Sequence, residues 1–362
     1  MRIILDARKW SDGGIGLAVR LLAEQFTRKG VEVICISHEN DVTKIEQTTE
    51  VKPVVCNARN YSLQELWQVG AAANTMQADL FYAPHYVVPF GLKIPIVTLI
   101  HDAIQLMFPD QFSLVQRTYA QYMIGRAMRI STKIVTQSET VRLDLLERFP
   151  GVMPAKVRTV RMIPDPIWRK VPGEPPPVWT PEVYCIYCGA YRQHKNLSFL
   201  AELWKSSRAL PPLVIVGDDL DKYPALRKEI RPLLTTGQWV DGGLVPFSQL
   251  RELVAGAFAL LLPSRYEGYG QPPLEAMLSG VPAIVSNCGA IPEISGSGAK
   301  VLPLTSPTLW IAELMELKKT EYRNQRIAIG SNWVASFDTD QWIEGHIAAC
   351  REAIQLCPAK TP

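Results

Sequence analysis

Long hydrophobic runs are missing from this chain. Nothing in it approaches the roughly 18–20 consecutive apolar residues that span a bilayer as a helix. The longest apolar stretches, LVAGAFALLLP at 253–263 and IPIVTLI at 94–100, have the length of core helices or strands. The start, MRIILDARKW, has no extended apolar region and no small-residue cleavage site, so it reads as a first strand and not as an export signal. A cytoplasmic protein is the expectation. Cysteine is sparse and unpatterned: seven residues, at 35, 56, 185, 188, 288, 350 and 357, odd in number and mostly inside apolar runs. That argues against a disulfide framework and for reduced, buried thiols. The pair in CIYC, 185–188, lies in an alternating strand, where side chains three apart point to opposite faces, so a shared metal is not expected there. Dense basic clusters with interleaved aromatics are also absent, which removes nucleic acid from the expected partners. The net charge of +3 is uneven, with 21 Lys and Arg against 16 Asp and Glu in residues 1–170 and 17 against 19 in the remainder. A mildly basic first half favours anionic ligands.

What the chain does have is enough length and apolar content, 362 residues and 47% hydrophobic, for two domains. Its sharpest compositional break is the proline-rich PDPIWRKVPGEPPPVWTP, 164–181, which suits neither a helix interior nor a central strand. On each side strand and helix signals alternate. RIILDA, VEVICIS, DLFYAP, IPIVTLIH and KIVTQS precede the break; EVYCIYCGA, PLVIVGD, QWVDGGL, ALLLPS, PAIVSN and AKVLP follow it. Between them run helical patterns such as Leu17, Leu21, Leu22 and Phe26, one apolar face. The alternation predicts an α/β protein of two doubly wound, Rossmann-like domains facing a cleft. The expected division is 1–165, a linker at 166–181, 182–340, and a carboxyl-terminal helix at 341–362 that packs back on the first domain.

The chemistry-bearing motifs all sit at the carboxyl ends of those strands, where open parallel sheets bind ligands. GGIG puts Gly13, Gly14 and Gly16 between a strand and a helix, where backbone approaches a ligand closely. It is not GxGxxG, so a dinucleotide cofactor is not expected. His101, in TLIHD, ends an apolar strand at a place where imidazole serves proton chemistry or donates to a hydroxyl. His85 ends another strand with less to recommend it. GAYRQHKNL places Arg192, His194 and Lys195 in a strand-to-helix turn, positioned to clamp a diphosphate. Asp219 and Asp221 have the spacing of a metal-binding DxD but read as loop and helix-start acids.

The most informative stretch is SRYEGYGQPPLEAMLSG, 264–280. Glu267 follows a buried strand, Gly268, Tyr269 and Gly270 form a tight loop, and Pro272 and Pro273 suit a helix start that places Glu275 in the first turn. Carboxylates repel a diphosphate but accept hydroxyls well, so the two acids should address sugar hydroxyls and leave the phosphates to amides and Lys195. A ligand carrying both, a nucleotide sugar, fits this division.

This stretch, running on through VPAIVSNCGAIPEISG, resembles the E-x7-E signature of retaining GT-B glycosyltransferases of family 4, mannosyltransferase-like enzymes of bacterial polysaccharide assembly among them. GGIG, TLIHD, IVTQSE and GAYRQHKNL occur in that family's order, so the resemblance covers nearly the whole chain. It implies that Glu267 lies beside the donor sugar and Glu275 on the ribose hydroxyls. The 268–270 amides would hold phosphate and sugar, Lys195 would neutralise the leaving diphosphate, and His101 would contact the donor sugar. Gly14 and Gly16 would lie over the phosphates, Ser138 at the cleft, and the base near Val240. Many relatives carry an arginine where this chain has Ala190 or His194; Arg192, or a protonated His194, is expected to supply that charge. The implied activity is retaining transfer of a hexose, from GDP-mannose as the best guess, to a glycan or lipid-linked acceptor, with no metal or other cofactor. A noncatalytic nucleotide-sugar-binding subunit and a sugar-nucleotide epimerase are the alternatives. Residues 112–133 mix apolar side chains with Arg117, Arg126, Arg129 and Lys133, which fits a helix resting peripherally on a membrane but more commonly marks an ordinary surface helix with its apolar side in the core.

Overall fold

Strands buried on both faces are the rule here, as parallel sheets covered by helices require. A computed structural model of the chain describes residues 1–49, 51, 53–169 and 176–357. It divides into two compact units: residues 1–163 with the chain from Asp338 onward, and residues 164–337.

In the first unit the strands are β1 (Arg2–Asp6), β2 (Glu32–Ser37), β3 (Val54–Val55), β4 (Leu80–Ala83), β5 (Ile96–Ile100), β6 (Lys133–Thr136) and β7 (Val157–Thr159). They form a parallel sheet ordered β3-β2-β1-β4-β5-β6-β7. Helices α1 (Gly13–Arg28), α2 (Val42–Thr49), α3 (Leu63–Thr75), α4 (Ile104–Met107), α5 (Leu114–Ile130) and α6 (Glu139–Arg148) connect them. The alternation along β4 sorts the two faces. Phe81 and Ala83 share a core with Leu66 and Val69 of α3, Met123 and Ala127 of α5, and Leu145 of α6. Tyr82 points the other way, to Phe26 of α1.

The second unit orders its sheet β10-β9-β8-β11-β12-β13, all parallel. These strands are β8 (Cys185–Cys188), β9 (Leu213–Val216), β10 (Trp239–Gly243), β11 (Ala259–Leu262), β12 (Ala283–Ser286) and β13 (Lys300–Leu302). Its helices are α7 (Leu197–Ser206), α8 (Pro224–Thr235), α9 (Phe247–Ala255), α10 (Gln271–Leu278), α11 (Ile291–Ser295), α12 (Pro307–Glu316) and α13 (Thr320–Ala335). Both cysteines of CIYC are buried in β8, and burial pushes each thiol well up.

The last helix, α14 (Thr339–Leu356), belongs to the first unit. His346 bonds Tyr82 OH through Nδ1 at 2.7 Å, and burial drives its imidazole down to about 3, so it is neutral. Gly345 leaves room for Val160, whose Cγ1 would be 3.0 Å from an added Cβ. Of the proline-rich stretch, 170–175 lies outside the described residues. The parts on either side are packed, not free: Trp168 is buried edge-on to Phe247, and Trp179 lies over Gly242. The boundary accordingly falls at 163–164, ahead of the prolines, because the aromatic side chains in this stretch are packed on the second unit.

Candidate active site

Two neighbouring strands of the second unit, β8 and β11, deliver the best-defined constellation. After β8 the chain runs to a 3-10 turn, Gln193–Lys195, and then to Asn196 in the left-handed region at φ 62, from which α7 starts. After β11 it runs through Pro263, Ser264 and Glu267 to Gly270, left-handed at φ 94, which opens α10. Two hydrogen bonds lace these loops together: Arg265 N–H donates to His194 O at 2.7 Å and Asn196 Nδ2 to Pro263 O at 3.1 Å. Their side chains then meet. Lys195 Nζ donates to both oxygens of Glu267, at 2.7 and 2.8 Å, and the buried Ser264 hydroxyl donates to Glu267 Oε1 at 2.6 Å. From the β12–α11 loop, Gly289 packs against the same residue. Its φ of +57 and the 2.8 Å between an added Cβ and Glu267 N and O both demand glycine. Glu267 is thus held by three loops at strand ends.

The pairing alters one expectation. The sequence assigns the acid to hydroxyls and the cation to phosphate as separate tasks, whereas the structure joins them as one charge-neutral pair. Three further readings change. Glu275 is the fifth residue of α10, beyond the first turn, because the helix starts at Gln271 with Pro272 and Pro273 at its head. Burial, with Asp165 nearby, raises its carboxyl to about 8, so it is mostly protonated at neutral pH. His194 is no substitute cation: burial, reinforced by Lys195, lowers it to about 4. The exposed Arg192 remains as the guanidinium of this turn. Gly268 and Tyr269 are buried in the loop that leads to Gly270. Val240 lies in β10, next to Asp241, which accepts from Tyr191 OH at 3.3 Å and from Gly243 N–H at 3.0 Å. Asp219 caps a 3-10 turn through Asp221 N–H, and Asp221 pairs with Arg227.

The remaining candidates belong to the first unit. Gly14 and Gly16 lie in the first turn of α1, not in a loop before it, and they differ. An added Cβ at Gly14 meets nothing within 4 Å, but at Gly16 it would sit 2.4 Å from Trp10 O, so Gly16 answers to internal packing. The Ser138 hydroxyl is fully buried and caps α6 by accepting from Val141 N–H at 3.2 Å. His101 donates from Nε2 to Pro84 O at 2.8 Å, and burial lowers its pKa, with Pro84 and Asp102 opposing. The proton at Nε2 is therefore committed to the backbone.

Sequence reasoning missed a buried charge cluster at the end of β1. Arg8 donates to Asp6 through Nε at 2.9 Å and through NH2 at 2.6 Å, and to Glu65 at 2.8 Å. Lys9 Nζ sits 4.2 Å from the centre of the Tyr61 ring, and Tyr61 meets His85 at 5.8 Å. The signal was present in DARK, an acid and two cations placed directly after an apolar strand.

Two parallel, doubly wound units with the candidate side chains at strand carboxyl ends are the GT-B architecture, which solved glycosyltransferase structures share. Family models agree over most of the chain: residues 12–163 match Glycosyltransferase Family 4 and residues 182–319 match Glycosyl transferases group 1. The chain belongs to this family of glycosyltransferases. It is 25% identical over 348 residues to the O-antigen chain mannosyltransferase RfbU of Salmonella typhimurium, covering 94% of this chain and 91% of that one. Solved structures share its fold. Anabaena HepE, crystallised with UDP and glucose, aligns at a TM-score of 0.72 and 17% identity over 96% of this chain and 98% of its own. Sucrose-phosphate synthase of Thermosynechococcus elongatus aligns at 0.76 and 16% identity over 98% and 99%.

Proposed function

We propose that this glycosyltransferase moves a mannosyl group from GDP-mannose to a hydroxyl of a glycan or lipid-linked acceptor in bacterial polysaccharide synthesis, with retention at the anomeric carbon and without a metal. The Lys195–Glu267 pair at the ends of β8 and β11 carries this reading. An ammonium restrained by a carboxylate is preorganised: it needs no reorientation when a second anion, the donor diphosphate, arrives beside it. Lys195 and Arg192 stabilise the negative charge that grows as the bond between the sugar C1 and the phosphate oxygen breaks. The acceptor oxygen bonds to C1 on the same face, and its proton passes to the departing phosphate oxygen. Glu267 holds Lys195 in place and accepts from the sugar hydroxyls. Glu275, protonated or ionised, takes the ribose hydroxyls. The mannosyl assignment draws on the relative in O-antigen synthesis and the donor class on the nucleotide-bound neighbour.

The test is transfer by Glu267→Ala. Loss of product by a variant that still unfolds in one cooperative transition supports the assignment, and full transfer rejects it. A new glycoside among the products separates transfer from epimerisation of the donor. Turnover undiminished by EDTA supports the cation clamp, whereas strict dependence on Mg²⁺ refutes it.

A further inference from the structure

Exposed apolar side chains gather on one face of the first unit. Leu63 and Trp67, one turn apart on α3, are 77% and 64% exposed; Val115 and Tyr122, two turns apart on α5, are 78% and 53% exposed. One loop binds these helices side by side. Phe90 N–H donates to Leu66 O at 2.6 Å, and Arg126 donates to Pro89 O at 3.0 Å. The Phe90 ring has Trp67 5.2 Å away and the Arg126 guanidinium 4.2 Å away. Tyr61, just ahead of α3, meets Tyr119 of α5 at 6.3 Å. The two apolar stripes are therefore neighbours on one surface.

The two helices that carry that surface have basic residues and no exposed acid, with Asp110 exposed in the turn ahead of α5. Helix α5 carries Arg117, Arg126 and Arg129 and no acid. The one acid of α3, Glu65, is buried on Arg8. Lys93, Arg126 and Ile130 line a groove near the carboxyl end of α5, whose one acid, Asp79, accepts the Arg2 amide at 2.8 Å. Single exposed apolar residues are ordinary, but a contiguous set of Trp, Tyr, Leu and Val bordered by cations marks an interaction surface. Among the described residues no helix is long and apolar enough to cross a membrane.

We propose that this face docks on an anionic lipid bilayer, with Leu63, Trp67, Val115 and Tyr122 entering the interfacial layer and the arginines meeting headgroup phosphates. A second copy of the chain fits less well, since two cationic faces repel each other. The most exposed apolar residues stand at the amino-terminal ends of α3 and α5, and Tyr61 connects them to His85 at a strand end. If the transferase reading holds, a lipid-linked acceptor enters the first unit from this edge. The docking itself does not depend on that reading.

Flotation of the whole protein with vesicles of phosphatidylcholine, with and without phosphatidylglycerol, tests the proposal. Binding should require the anionic lipid and weaken as salt rises. Trp67→Ser combined with Val115→Ser should lower the affinity roughly tenfold, and Arg129→Glu at least about fivefold, with an unchanged thermal melt as proof of folding. Equal binding to neutral vesicles, or no effect of either variant, overturns it. So does sedimentation showing a dimer that Trp67→Ser dissociates while vesicles are ignored. A protein that binds vesicles but transfers no sugar keeps the docking and rejects the proposed function; one that glycosylates a soluble acceptor but ignores vesicles does the reverse.

Discussion

Removing Lys195 should expose how the resting site is balanced. The Lys195 and Glu267 side chains are 21% and 11% exposed, so the pair lies between two limits. Breaking a fully buried ion pair costs about 3–5 kcal/mol, whereas an exposed pair contributes at most about 1 kcal/mol. Lys195→Met takes two of the donated bonds from a largely buried carboxylate and leaves that of the Ser264 hydroxyl in place, and a loss of about 2 kcal/mol follows. Glu267→Gln should be milder, about 1 kcal/mol, because the freed ammonium swings into water on its four-carbon stem. The double variant carries neither charge and should regain about 1–2 kcal/mol relative to the sum of the singles. Urea denaturation of the four proteins measures that coupling, and donor turnover is read on the same samples. Stability should recover in the double variant while transfer stays lost. Strictly additive singles, or a Lys195→Met variant as stable as the parent, would refute the view that these charges support each other. Restored transfer in the double variant would remove both residues from the chemistry.

The raised Glu275 carboxyl makes stability depend on pH. Its folded value, about 8, lies above the ordinary 4.5, so its contribution is complete below about 4.5 and is lost as pH rises through 8; Glu275→Gln should therefore gain on the parent by up to a few kcal/mol between about pH 5 and pH 9, as denaturation at each pH shows. His194 works in the opposite direction. Lowered to about 4, it costs the folded protein stability as pH falls below 6.5, and His194→Gln should blunt that acid sensitivity in thermal melts. Gly16→Ala drives a methyl against Trp10 O and should cost about 2 kcal/mol or more, whereas Gly14→Ala meets open space; a Gly14→Ala protein that melts normally but loses its nucleotide-sugar thermal shift would put ligand beside that turn.

The architecture was readable because parallel sheets write themselves as short apolar runs punctuated by amphipathic helices. Leu17, Leu21, Leu22 and Phe26 are all buried, as their spacing required. Site residues with a local signature were readable too: Glu267 and Lys195 each follow an apolar strand. Their union was not, since 72 positions separate them and only the β8–β11 pairing brings them within hydrogen-bond reach. The same holds for Arg8 and Glu65, 57 positions apart. Protonation states were illegible for a related reason. Glu275 and His194 look charged in a string of letters, but burial is set by residues that fold over them from elsewhere in the unit, and burial opposes charge on both. A consistent electrostatic logic follows. Where the fold keeps charge at these strand ends it sets opposite charges in direct contact, as in Lys195–Glu267 and in Arg8 with Asp6 and Glu65; at Glu275 and His194 desolvation outweighs the surroundings and favours the neutral form. In the proposed reaction the paired ammonium of Lys195 and the exposed guanidinium of Arg192 are then the cations that meet the incoming diphosphate, with Glu267 still holding Lys195 in place.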